Sequence, residues 1–123
     1  MSTYAPTRNE PLTSNEQAAL RGKLEQQRAF RIEQLTQLSS PTRLSLLNRP
    51  LSSTDHEVFT SLAAGARAAL RDVQEALWRI DEGRYGRCTS CAEPLGIERL
   101  EILPQSALCM QCQQTATLRK PSG

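Results

Sequence analysis

Val58, Leu62, Ala66, Ala69, Val73, Leu77 and Ile80 recur every three or four residues through an otherwise polar stretch. That spacing places them on one face of a helix. Thr54 and Glu57 predict a capping box at its start, and Asp55 suits the positive end of the helix dipole. The segment "DEG" ends the helix, with Gly83 suited to the left-handed position beyond the last turn. An earlier stripe is sparser: Leu20, Leu24, Leu35 and Leu38, with Gln27, Arg28 and Arg31 in its middle and Phe30 and Ile32 off it. Two caps compete at its start, Ser14 with Gln17 and Thr13 with Glu16.

Each helix would be close to 40 Å long, roughly, at the helical rise per residue. Neither is stable alone, so each must bury its stripe. Folding the chain back near residue 47 brings Leu35 to Val58, Leu24 to Ala69 and Leu20 to Val73, so that paired residue numbers sum to 93. Arg31 then meets Leu62, and Arg28 meets Gly65. The small residues of "AAGARAA" leave room there for long side chains to lie flat with their charged heads in water. Alanine's helix propensity accounts for the same stretch equally well, with Gly65 costing about 1 kcal/mol. Trp78 and Phe59 flank the second stripe and are expected to pack.

The turn, "SSPTRLSLLNRPLSS", is basic and leucine-rich and contains no acid. Pro41 suits the first position of a short helical turn, which Asn48 and Pro50 would stop. Arg43, Leu44, Leu46, Leu47 and Arg49 are its candidate partner-binding residues. The leucines either fold onto the hairpin or form an exposed apolar patch that meets a partner.

All four cysteines follow the second helix, in "CTSC" at 88–91 and "CMQC" at 109–112, with seventeen residues between the pairs. No run of about 18 apolar residues is present, so no membrane span is expected. The N-terminus lacks the apolar core of a secretory signal. A cytoplasmic, reducing setting follows, where structural disulfides are rare. The spacing fits a four-cysteine zinc site built from two knuckles, Cys88 with Cys91 and Cys109 with Cys112. Four protein ligands close the site and leave no position for a catalytic water, so one structural Zn²⁺ per chain is expected. Four cysteines alone do not exclude iron. Arg84, Arg87 and Arg99 are placed to offset the thiolate charge. "IERLEIL" alternates imperfectly, as a short strand would, and "CMQCQQTATLRK" predicts a short terminal helix.

A chain of 123 residues with a net charge of +2 does not announce nucleic-acid binding by bulk charge. Its single histidine, His56, has no cysteine near it in sequence and supports no catalytic reading. The expected organisation is mainly α: a tail over 1–13, an antiparallel two-helix coiled-coil hairpin over 14–82 with its tip near 40–53, and a zinc ribbon with a C-terminal helix over 83–123.

Residues 83–112 resemble the zinc-finger segment of the DksA/TraR family of bacterial transcription factors. Cys88, Cys91, Arg99, Pro104, Cys109 and Cys112 stand at that family's intervals, and Leu95 replaces its isoleucine. "GRYG" and "GIERLE" also resemble family wording, and the order of parts resembles the DksA branch over roughly 14–120. The resemblance implies a protein that binds RNA polymerase and not DNA. It implies a hairpin that enters the secondary channel, a ribbon that docks on the rim and, in some members, action with ppGpp. The acidic Asp-x-x-Asp-x-Ala tip motif of that branch is absent here, so no tip residue carries over. A competing reading is a zinc-ribbon adapter in which Arg84, Arg87, Arg99, Arg119 and Lys120 contact nucleic acid or another protein. A monomer is expected under either.

Overall fold

The computed structural model describes residues 12–39 and 50–119. Four helices run in chain order: α1 (Ser14–Leu38), α2 (Ser53–Asp81), α3 (Ile97–Ile102) and α4 (Met110–Arg119). The expected tail lies mostly outside the described residues, as do Arg43, Leu44, Leu46, Leu47 and Arg49 of the tip. Leu12 and Thr13, at the tail's end, are described and take part in the fold.

Of the two caps available to α1, Thr13 is used. Its hydroxyl accepts from the Glu16 N–H, and the Glu16 carboxylate accepts from the Thr13 N–H, both at 3.0 Å. The start of α2 differs from the sequence expectation. Ser52 and Asp55 form the box, at 2.9 and 3.1 Å, so Thr54 and Glu57 lie inside the helix. Serine is at least as good a cap as threonine, and its box adds two residues, about half a turn, to the helix. The α2 end is as predicted, with Gly83 at φ +74°.

α1 and α2 form an antiparallel hairpin. Leu20 and Leu24 pack with Val73, Ala76 and Ile80 at its base, and Leu38 shares a groove with Leu62 at the other end. The register is shifted from the expected sum of 93: Leu38 with Leu62 sums to 100 and Arg21 with Asp81 to 102, a displacement of about two helical turns. Gln27 and Arg31 share a groove with Ala69 and Val73, and Arg21 bridges to Asp81. The inward face of α2 also rotates toward its N-terminal half. Phe59, Ala63, Ala66, Leu70, Val73, Leu77 and Ile80 turn inward, while Val58 and Leu62 are 48% and 46% exposed. Those seven positions alternate steps of four and three without a break, the seam of a coiled coil. The matching α1 positions, Leu20, Leu24, Gln27, Arg31, Gln34 and Leu38, keep the same alternation. Choosing Val58 and Leu62 by apolarity alone broke that alternation and displaced the register. Arg31 lies half-buried and donates to Gln34 Oε1 at 2.9 Å, whereas Arg28 and Gly65 are exposed.

The core does not stop at the hairpin. Tyr85, Cys88, Leu95 and Leu100 join the Leu20–Ile80 cluster, and Leu12 packs against it from the N-terminal side. Gly86, at φ +94°, lies against Leu12: a Cβ there would stand 3.2 Å from Leu12 Cδ1.

Residues 97–102, expected as a strand, are the helix α3. Leu100 N–H donates to Gly96 O and Leu103 N–H to Arg99 O. Ile97 and Leu100 are three residues apart, the spacing of one helical face. Leu100 is fully buried, Ile97 is half-buried, and no neighbouring strand offers a ladder among the described residues.

Candidate metal centre

The first knuckle is a tight hairpin. Leu95 N–H donates to Gly86 O at 2.9 Å, Arg87 bridges Pro94, and Cys88 N–H donates to Glu93 O at 2.8 Å. The turn closes with Ala92 N–H on Cys88 O at 2.8 Å, with Ala92 at φ +67°. A left-handed alanine costs energy, and here it curls the chain so that Cys91 returns toward Cys88. The second knuckle is the start of α4. Gln113 N–H donates to Cys109 O at 2.8 Å, and Cys112 N–H points at Cys109 Sγ at 3.4 Å. Thr89 N–H donates to Ala107 O at 2.8 Å and ties one knuckle to the other.

This brings together the four sulfurs of Cys88, Cys91, Cys109 and Cys112 within 4.8 Å of one another. A tetrahedral Zn²⁺ with Zn–S bonds of about 2.3 Å sets its sulfurs about 3.8 Å apart. Cys91 and Cys109 already stand at 3.8 Å. Burial works against ionising Cys88, but N–H groups of Cys109, Cys91 and Ser90 outweigh it and bring its pKa down to about 6. Cys112 is pushed up to about 12, first by its hydrogen bond with Cys109. Cys91 is raised as well: the Glu93 N–H favours its thiolate, but desolvation and the sulfur of Cys88 prevail. The protein alone thus favours one thiolate and resists others beside it. A divalent cation removes that conflict, because each thiolate then faces a positive charge. The donor set fits zinc, held closed and without a site for substrate.

The three arginines expected to offset the thiolates do other work. Arg84 lies over the ring of Trp78, 4.7 Å from its centroid; Trp78 is 55% exposed and not a packing residue of the hairpin. Arg87 donates to Ala92 O at 3.0 Å and braces the strained turn. Arg99 donates from Nε to Ser106 Oγ at 3.1 Å and to Leu108 O at 3.2 Å, holding the segment that leads into Cys109. Two further residues position the centre and were not singled out by sequence. Arg79 is buried on α2, with its Nη2 3.4–3.5 Å from the carbonyls of Ser106 and Gln105. Burial lowers its pKa, and Glu75 opposes that. Tyr85 reaches across to Pro104. Its position between two glycines in "GRYG" was the available signal: a large side chain fixed where the backbone turns.

A helical hairpin with a closed four-cysteine centre at its base defines a small zinc-finger protein. Residues 83–117 match the family model for the prokaryotic dksA/traR C4-type zinc finger. The chain is 29% identical over 121 residues to the RNA polymerase-binding transcription factor DksA of Caulobacter vibrioides, covering 92% of this chain and 84% of that one. It is 38% identical over 55 residues to the protein of the same name from Buchnera aphidicola, covering 45% of this chain and 36% of that one. The solved structure of transcription factor DksA2 from Pseudomonas aeruginosa superposes with a TM-score of 0.70 at 25% identity, covering 87% of each chain. The matched segment is described as a C4-type zinc finger, and the four cysteines that it spans are placed to bind one metal ion. Among the described residues, no helix is long and apolar enough to cross a membrane.

Proposed function

We propose that this chain is a zinc-binding bacterial transcription regulator that binds RNA polymerase through the secondary channel and does not read DNA sequence. The observation that carries this reading is the likeness to DksA proteins across hairpin and finger together, not across the finger alone. A helix of 29 residues gives α2 a length of about 43 Å, a reach suited to a deep channel. The zinc is structural, one per chain, and fixes the finger at the hairpin's base. The protein is a cytoplasmic monomer without catalytic activity; its His56 is exposed in the first turn of α2. A nucleic-acid adapter has less support, because Arg84, Arg87 and Arg99 are already engaged with Trp78 and with groups of the finger itself.

The test is a pull-down of purified, zinc-loaded protein with RNA polymerase, with and without DNA. Retention that does not depend on DNA is expected. Retention only when DNA is present, or binding to DNA alone, overturns the reading.

A further inference from the structure

Residues 105–108 join Pro104 to Cys109, and all four of their carbonyls are held. Arg79 Nη2 donates to Gln105 O at 3.5 Å and to Ser106 O at 3.4 Å. The Thr89 N–H donates to Ala107 O at 2.8 Å, and Leu108 O accepts from Arg99 Nε at 3.2 Å. Thr89 belongs to the first knuckle and Arg99 to α3, whereas Arg79 belongs to the hairpin. The segment is therefore a strap. One end runs into a metal ligand, and its first two carbonyls face α2.

Arg79 is only 5% exposed. Among the described residues those two carbonyls are its hydrogen-bond partners, and no carboxylate forms an ion pair with it. A buried cation held by neutral carbonyls stays buried only while they stay in place; without them it is a charge with no partner in a dry interior. A second arrangement is within reach. A cleft of about 360 Å³ lies between this part of α2 and the strap, and Asp72 and Glu75 line it together with Arg79. Glu75 stands one turn before Arg79 on the same helix, the favourable order for an acid followed by a base. Its charge is the strongest attraction acting on the guanidinium. Both carboxylates are exposed and, among the described residues, make no hydrogen bond or ion pair. Neither arrangement has a large advantage: the inner one gives up water, and the outer one gains only a surface ion pair. Whatever fixes the strap decides between them.

We propose that Arg79 is a latch with two positions, and that it ties the packing of the hairpin on the finger to metal occupancy. With zinc on Cys109 the strap is fixed, and Arg79 lies inside on its carbonyls and holds α2 against the finger. When the metal leaves, the strap slackens, and Arg79 turns out through the cleft to Glu75 and frees the base of α2. The coupling is reciprocal: a change that favours the inner position strengthens zinc binding, and one that favours the outer position weakens it. The latch rests on zinc at the four cysteines and is independent of the partner that the hairpin meets.

The test is zinc competition with a chromophoric chelator on the full chain at low salt, run as a double-mutant cycle. Arg79→Met keeps the bulk and removes the charge and the donors; it should weaken zinc binding by about ten-fold or more. Glu75→Gln should do the opposite and strengthen it by about two-fold, the size of one helical ion pair removed from the outer position. A merely structural Glu75 would not tighten a site that it does not touch. In the Arg79→Met background, Glu75→Gln should have no effect. Amide exchange reads the latch directly: removing zinc should speed exchange at residues 76–80 more in the wild type than in Arg79→Met, where no cation is left to be expelled. Weaker or unchanged zinc binding in Glu75→Gln, a Glu75→Gln effect that survives in Arg79→Met, or equal exchange in the two proteins overturns the latch. Should Arg79→Met fail to fold, the sign of the Glu75→Gln change still decides, because that side chain is on the surface. A wild-type chain that binds no zinc overturns the metal reading, and the latch with it.

Discussion

Tyr85 donates its hydroxyl to the carbonyl of Pro104 at 2.7 Å, across the interior of the finger. Tyr85 lies just before the first knuckle and Pro104 just before the second, and both are buried. The bond is the shortest polar link between the two halves that supply sulfur. Tyr85→Phe keeps the ring and strands the carbonyl, so a loss of about 1–3 kcal/mol is expected in denaturant unfolding. Burial raises the Tyr85 pKa to about 12, against an opposing pull from Arg79. The fold thus favours the neutral phenol. Its contribution is complete below pH 10 and is lost as pH rises from 10 through about 12. Tyrosinate absorbance should show a late-titrating phase that Tyr85→Phe removes; a titration unaltered by that change would contradict it.

Zinc removal should separate the molecule's two kinds of stability. Cys109→Ser is expected to release the metal and unfold the finger, while most of the helical signal of α1 and α2 remains. Metal analysis and circular dichroism read the two parts. Full zinc retention in the serine variant would exclude Cys109 as a ligand.

Arg99 touches no sulfur, but it holds Ser106 and Leu108 on the approach to Cys109. Outer partners of this kind are worth about 10–100-fold in metal affinity. Arg99→Ala should weaken zinc by that factor in competition with a chromophoric chelator, with helix content unchanged. An unaltered affinity would reduce Arg99 to a surface contact.

The hairpin seam predicts an asymmetry between two apolar residues. Leu24 is fully buried and Val58 is 48% exposed. Leu24→Ala should cost about 2–5 kcal/mol, and Val58→Ala should stay within about 0.5 kcal/mol. Leu38 and Leu62, which share a groove, should give methyl NOEs. A costly Val58→Ala would restore the register in which Val58 meets Leu35.

The cysteine centre was legible because metal chemistry fixes both residue type and spacing. So were the existence and direction of the two long helices, which rest on many weak signals that agree. The register was not. Choosing Val58 and Leu62 over Phe59 and Ala63 followed hydrophobicity, whereas the seam follows unbroken three–four alternation, and alanine fits a seam that leucine need not occupy. The helix at 97–102 was missed for a related reason. Ile97, Leu100 and Ile102 satisfy neither period cleanly, and the deciding facts, the turn at Gly96 with φ +87° and the burial of Leu100, belong to the assembled finger.

Arg43 and Arg49 supply the sequence-based prediction for the tip, outside the described residues. Neither guanidinium has a lone pair with which to coordinate a cation. Each can pair with a carboxylate or a phosphate. The double change to alanine should weaken polymerase binding by about 1–3 kcal/mol if either pair is desolvated. Unchanged affinity with a folded hairpin would move the contact to Leu44, Leu46 and Leu47 or to the finger.

The shared core has a mechanical consequence. Leu20, Leu24, Val73, Ala76 and Ile80 interlock with Tyr85, Cys88, Leu95 and Leu100, while the outer hairpin seam mixes Gln27, Arg31, Gln34, Ala63 and Ala66 with the half-buried Leu38, Phe59 and Leu70. Firmness therefore falls off along the hairpin, away from the metal. Amide exchange should be slowest around residues 20–24 and 73–80 and quicken steadily toward Leu38 and Ser53. The molecule resembles a probe with a rigid grip and a compliant shaft: the part of the hairpin far from the metal bends at little cost, and the end that carries the metal keeps its shape.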